Sequence, residues 1–394
     1  MQSIVADDSV SPESGKNLVD RLIDCGEFAE ARIHANSLLT NCPADSEIYA
    51  LLAIIEVNAG RLSVARRYML EALRLAPDSE VAEGNLAFLN SLEQQAANAE
   101  YIHAWLVWRI RNMDFPRIIS LETVGRCNAK CVFCPHPMLD RKFEAMSDEL
   151  FEKIISEASR FPPDRFSGFG MHSVNEPFMD RKIFDRLATI NRVVPNAQIG
   201  ITTNMNVMPP RFFERIREIH RISNWIVSFN AANKQEYEET MRIDFRRTVI
   251  NTRRLLEENR ASQFVPGPIR LSRVESGDER DRLFAEQCAQ VFSGFVPGVD
   301  FEPVTLSRAD WLGDIAATSP GYFHAYPCNQ WVNLTVHCNG MVPHCCVDAR
   351  AQFPLGDANK QSILEIYNNP HWKNLRENVS AREVVYPCRT CNLR

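Results

Sequence analysis

Three cysteines fall within eight residues of the stretch "RCNAKCVFCPHP", residues 126–137, and they constrain the chain more than any other feature. Cys127, Cys131 and Cys134 form a C-x3-C-x2-C loop whose side chains must face one small volume. Structural zinc takes four closed tetrahedral ligands, usually from two cysteine pairs. Here the cysteines stop at three. His136 would complete a zinc site with them. An iron–sulfur cluster is the other reading, because each iron of a 4Fe-4S cluster wants one ligand beyond its sulfides. Three thiolates on one tight loop then hold three irons and leave the fourth open to a small molecule.

The chain of 394 residues has 12 cysteines, nine of them in two regions, 127–134 and 328–391. In a reducing compartment such clustering reads as metal or redox chemistry rather than as cross-links. Cys25, Cys42 and Cys288 stand alone and read as small buried hydrophobes. A net charge of −6 argues against nucleic acid or an anionic membrane as partner, since both want a basic surface. No run reaches the ~20 apolar residues of a membrane span. The start, "MQSIVADDSVSPESG", is acidic and polar without a signal-peptide pattern, so a cytoplasmic location is expected.

The length exceeds what one core normally serves. Residues 1–15 read as a disordered polar tail. Residues 16–98 read as helical repeats: Gly26 and Gly60, Ala31 and Ala65, Arg32 and Arg66, Leu39 and Leu73, and Pro43 and Pro77 are each 34 apart. This period, with Gly at a turn and small Ala at helix contacts, resembles the tetratricopeptide repeat. Such arrays either pack against a neighbouring domain or offer a docking surface to a protein partner. A third helix is expected near 80–95, and an amphipathic linker helix over 99–116.

From 117 to 310 apolar β-type runs alternate with helical stretches. "RIISLETV", "RFSGFGMH", "AQIGITT", "SNWIVSF", "PIRLSRV" and "GVDFEPV" read as strands. Helices are expected at 147–160, 180–192, 209–219, 246–259 and 278–291. Repeated βα units predict an α/β fold with a parallel sheet, closed as a barrel or partial barrel. In such barrels function sits at the C-terminal strand ends, and the cysteine loop directly follows the first strand. Over 311–394 the alternation stops. A hairpin-like Asn339-Gly340 turn stands between two apolar arms, followed by a helix around 361–376.

The C-x3-C-x2-C motif, with Phe133 before its last cysteine and a strand before the loop, resembles the radical S-adenosylmethionine (SAM) superfamily. The resemblance covers roughly 117–394. It implies a partial (β/α)6 TIM-like barrel with a 4Fe-4S cluster on Cys127, Cys131 and Cys134. SAM chelates the open iron there and is cleaved to a 5′-deoxyadenosyl radical that abstracts a substrate hydrogen. Phe133 belongs to the cofactor site in this reading. In "GMHSVNEPFMD", residues 170–180, Glu176 matches the carboxylate that receives the SAM ammonium, although Val174 and Asn175 depart from the two glycines usual there. Thr203 and Asn204 after the third strand, and Ser228 and Asn230 after the fourth, are further candidate SAM contacts. Arg270 and Arg273 on the fifth strand are candidate carboxylate partners.

The C-terminal region resembles the SPASM extension or its shorter twitch form. Cys328, Cys345 (in a Gly340-x4-Cys spacing), Cys388 and Cys391 would hold one auxiliary 4Fe-4S cluster. Cys346 competes with Cys345, Cys338 reads as structural, and Asp348 as a loop-orienting or proton-transfer group. A zinc ribbon is the alternative for these four cysteines. The resemblance implies a radical SAM oxidoreductase with a flavodoxin- or ferredoxin-like electron donor. The first expectation is a dehydrogenase acting on a small polyol, aminocyclitol or sugar-derived molecule. The second is a peptide or protein side-chain maturase that docks its substrate on the repeats. A repeat adaptor with structural metal sites is the non-enzyme alternative.

Overall fold

Ser11 and Pro12 start the first helix, because a serine N-cap followed by proline suits a helix start. Helix α1 (Pro12–Asp24) has the Ser11 hydroxyl accepting the Ser14 N–H at 3.3 Å. Helical structure therefore begins inside the stretch expected as a disordered tail. Helices α2 (Phe28–Asn41), α3 (Ser46–Asn58) and α4 (Leu62–Leu75) follow, and α3 and α4 repeat the bounds of α1 and α2 at the 34-residue period. Asp45 caps α3 by accepting the Glu47 N–H at 3.0 Å. Ala31, Ala35, Ile48 and Leu52 share one core, and Ala53, Ala65, Met69 and Ala72 a second. A Cβ on Gly15 would stand 2.5 Å from Leu38 Cδ2, so α1 and α2 pack closely there. Cys288 is buried as expected, but Cys42 is half-buried and Cys25 exposed. The last caps α1 in the turn before Gly26 and faces water.

This computed structural model describes residues 11–59, 61–79, 82–87, 89, 107, 109–316, 328–378 and 385–391. It divides into two units, Met1–Ala104 and Trp105–Arg394. The expected helix near 80–95 is seen over 82–87 and at 89, and the linker helix at 107 and 109–111, giving way to turns and bends over 112–115 before Pro116; the other residues of both lie outside the described ones.

In the second unit all six expected strands form: β1 (Ile118–Leu121), β2 (Gly168–Met171), β3 (Gln198–Thr203), β4 (Ile222–Ser228), β5 (Ile269–Val274) and β6 (Phe301–Leu306). They pair in parallel in the order β6-β5-β4-β3-β2-β1. The helices Asp148–Ala158, Ile183–Val193, Phe212–Arg217, Phe245–Ser262 and Glu279–Val291 lie between them in sequence, with an unanticipated one at Lys234–Met241. Ile119, Phe169, Ile199, Trp225 and Leu271 carry the core through the sheet.

The C-terminal region departs from the expected hairpin. The Asn339-Gly340 turn forms, with Gly340 at φ +90° and the His337 N–H donating to the Met341 carbonyl at 2.9 Å. Its first arm, β7 (Asn333–Val336), instead lies parallel to β1 as a seventh strand. Its second arm, β8 (Met341–Val342), pairs with β9 (Gly356–Asp357). The open edge of β1 offers unpaired backbone groups, which a local turn signal cannot reveal. The expected helix at 361–376 is two, Ile363–Tyr367 and Pro370–Asn378, since Pro370 suits a helix start and not an interior. Tyr367 donates its hydroxyl to the Asn112 carbonyl at 2.6 Å, tying this region to the start of the barrel.

Candidate active site

The cysteine loop leaves the C-terminal end of β1 and is strapped down along its length. Gly125 permits its tight entry: a Cβ there would stand 2.2 Å from the Arg141 carbonyl oxygen. The Lys130 N–H donates to the Met241 carbonyl and the Val132 N–H to the Thr240 carbonyl, at 3.1 and 3.0 Å. Cys131 Sγ rests 3.4 Å from Met241 Sδ. His136 is buried, with Nε2 at 2.8 Å from the Gly125 carbonyl. Trp311 donates Nε1–H to the Phe133 carbonyl at 2.9 Å and, like Cys134, packs against the small cluster of Leu139, Val174 and Ala349. Trp311 and Leu312 both hold left-handed backbone, at φ +54° and +57°, a conformation that costs energy in non-glycine residues and often marks functional segments.

Burial, with the charges of Glu176 and Cys134, pushes the Cys127 thiol up to about 12. Burial raises Cys134 to about 11, and burial with its two neighbouring thiols raises Cys131 further. Thiols so placed ionise together only around a cationic group, which is the condition for ligating metal.

Glu176 organises the neighbouring strand ends. Its own N–H donates to the Arg126 carbonyl at 2.9 Å, fastening the β2 end to the cysteine loop. Its buried carboxylate accepts the Thr203 hydroxyl at 2.7 Å, the Asn204 N–H at 2.7 Å and the Phe178 N–H at 3.1 Å. Burial holds this carboxyl up at about 7 despite those bonds. The Asn204 amide donates to Asn128 Oδ1 at 2.8 Å, and the Asn128 amide to Asn206 Oδ1 at 3.2 Å. The structure thus brings Glu176, Thr203 and Asn204 together beside the cysteines. Asn128 and Asn206 complete the network; repeated asparagines after successive strands were their only sequence signal.

Ser228 ends β4, half-buried. Asn230 has left-handed backbone at φ +59°, and its side chain is engaged. Its amide donates to Met241 Sδ at 3.1 Å, and its oxygen accepts the Val274 N–H at 2.9 Å. Arg270 pairs with Glu302 on the exposed surface. Buried Arg273 spends its donors on Asp281, Glu236, Ser276 and the Asn230 carbonyl.

In the C-terminal region burial, with Cys328 and Cys391, pushes Cys346 up to about 12, and burial with Cys346, Cys328 and Cys391 raises Cys345 further. Both members of the Cys345–Cys346 pair thus lie near enough to Cys328 and Cys391 to feel their charge. Cys338 lies elsewhere, 4.0 Å from the Arg141 carbonyl. Asp348 is buried and accepts the N–H groups of His344, Gln352 and Phe353, so it shapes the loop. His344, which sequence reasoning missed, sits 3.2 Å from Cys388 Sγ.

Residues 121–268 match the family model of the radical SAM superfamily, and residues 328–392 that of the SPASM iron-sulfur cluster-binding domain. This chain is a radical SAM enzyme with a SPASM domain. It is 24% identical over 103 residues to the tungsten-containing aldehyde ferredoxin oxidoreductase cofactor-modifying protein of Pyrococcus furiosus. That match spans 26% of this chain and only 28% of the relative. The structure of SuiB from Streptococcus suis bound to its precursor peptide SuiA shares the fold, with a TM-score of 0.52 at 14% identity over 88% of this chain and 86% of that one. BtrN in complex with AdoMet and 2-DOIA aligns with a TM-score of 0.44 at 17% identity over 71% and 93% of the two chains.

The radical SAM domain binds a 4Fe-4S cluster and SAM, and the SPASM domain binds auxiliary iron–sulfur clusters. The residues present fit these groups. Beyond the thiols, His172 Nδ1, Ser173 Oγ and Asn175 Nδ2 are buried after β2 without hydrogen-bond partners among the described residues. Buried polar atoms normally find partners, and a polar ligand beside Glu176 would supply them.

Proposed function

We propose that this radical SAM enzyme oxidises a small hydroxylated substrate, a polyol, aminocyclitol or sugar derivative, at a C–H bond. Cys127, Cys131 and Cys134 would hold the SAM-binding cluster, and Glu176, Ser173 and Asn175 would orient SAM. Cys328, Cys388, Cys391 and one of Cys345 and Cys346 would hold one auxiliary 4Fe-4S cluster. When bound, these groups supply a 5′-deoxyadenosyl radical that takes a substrate hydrogen atom, and an acceptor for the electron left behind. The observation that carries the reading is the gathering of the Cys328, Cys345, Cys346 and Cys391 thiols, with Cys338 apart. A cluster with every iron ligated by protein serves as an electron acceptor rather than a substrate anchor. A flavodoxin- or ferredoxin-like protein would donate the first electron.

The test is anaerobic reconstitution with reductant, SAM and a panel of carbon-deuterated polyols and aminocyclitols. About eight irons per chain, deuterium in the released 5′-deoxyadenosine and a ketone product are expected. About four irons, or deuterium transfer only from peptides, would overturn it. A second reading, maturation of a peptide, is favoured by the repeated helix pairs α1–α2 and α3–α4, since such arrays suit extended ligands. Peptide-dependent deoxyadenosine formation that disappears when residues 1–104 are removed would establish it.

A further inference from the structure

His344 stands one residue before Cys345, buried, with its Nε2 at 3.2 Å from Cys388 Sγ. Its imidazole is held in place from several directions. The ring lies 5.0 Å from that of Trp372, which is itself pinned by Nε1–H donating to the Trp331 carbonyl at 2.7 Å. The His344 N–H donates to Asp348 Oδ2, and the same carboxylate fixes Gln352 and Phe353. Swinging the imidazole off the sulfur would disturb the core of Trp331, Trp372, Leu375, Val385 and Cys388.

We infer that His344 is a positioning residue of the auxiliary cluster, donating a hydrogen bond to the Cys388 sulfur and thereby setting the cluster's reduction potential. The inference rests on the reading of Cys388 as a cluster ligand. Its direction follows from simple chemistry. A cysteine bound to iron is a thiolate and carries no proton, so the hydrogen between the two atoms must sit on Nε2. A neutral imidazole in that tautomer supplies it. Donation withdraws charge from the sulfur and favours the reduced, more negative cluster, so the potential rises. A higher potential makes the cluster a better acceptor for the substrate's electron.

The test compares full-length, anaerobically reconstituted wild type, His344→Gln and His344→Phe by redox titration followed by electron paramagnetic resonance. The phenylalanine variant removes the donor and should lower the auxiliary potential and kcat while leaving KM and iron content unchanged. The glutamine variant keeps an N–H donor and should stay near wild type. Equal potentials in all three proteins would overturn the inference. Loss of the auxiliary iron in His344→Phe would do so too, because the residue would then build the cluster rather than tune it. Cys388→Ala separates the two layers: full auxiliary iron with an unchanged signal would sink the ligand reading itself.

Discussion

Replacing Arg141 by methionine probes how the cysteine loop is held. Glu122 precedes the loop, Arg141 follows it, and both are buried. Arg141 Nε donates to Glu122 Oε1 at 2.6 Å and Nη2 to Oε2 at 2.9 Å, a bidentate pair. Nη1 donates to the Ala349 carbonyl, so one guanidinium closes the base of the loop and ties it to the SPASM domain. Burial alone would push the Glu122 carboxyl up, but the Arg141 hydrogen bonds and charge, with His337 nearby, hold it below the usual carboxylate range. Arg141→Met leaves that buried carboxylate without its partner, at a cost of about 3–5 kcal/mol. All six tryptophans lie at position 105 or later, so their fluorescence follows the second unit alone. Its midpoint should fall by on the order of 10 °C. Glu122→Met/Arg141→Met removes both charges and should recover most of the loss, since apolar residues of similar volume replace buried ion pairs at little cost. The pH dependence should also reverse. The wild-type carboxyl is depressed, so its contribution is full above its unfolded value of about 4.3 and is lost as pH falls through the folded value. In Arg141→Met burial raises the carboxyl, and stability is lost as pH rises past about 4.3. A single variant within about 2 °C of wild type, or a double variant no better than the single, would refute the reasoning.

Three further outcomes follow from the same geometry. Thr203→Val removes one hydrogen bond to the Glu176 carboxylate, worth about 1.5–3 kcal/mol. SAM binding measured by calorimetry should weaken at least about tenfold with iron content unchanged, and an unaltered Kd would argue against the network. Of Cys345→Ala and Cys346→Ala, one should lose the auxiliary iron while the other keeps it; retention in both would exclude the pair from ligation. Gly125→Ala drives a Cβ into the Arg141 carbonyl oxygen, so it should lower the tryptophan-detected midpoint and the yield of bound iron. Wild-type values for both would show that the loop entry has room to adjust.

Much of this protein is legible in its sequence because the signals are local. The C-x3-C-x2-C spacing puts three thiols on one turn wherever the loop lies, and the strand before it places that turn at the mouth of a parallel sheet. The 34-residue period sets the bounds of α1 to α4, since each helix's start, stop and small contact residues recur within one repeat. Glu176, Thr203 and Asn204 are visible as strand-end residues. That they bind one another is not visible, because it depends on how β2 and β3 register. The same holds for the pairing of β7 with β1, the Met241 sulfur against Cys131, the Trp311 bond to the Phe133 carbonyl and His344 on Cys388. Each joins residues far apart in the chain, and each was decided by which polar atoms and sheet edges remained unsatisfied once the core had packed. The sequence by itself determined which metal chemistry the chain can support. Only the tertiary structure decided which side chains surround it, because burial creates the demand for hydrogen-bond partners and only the fold determines which of them lie within reach.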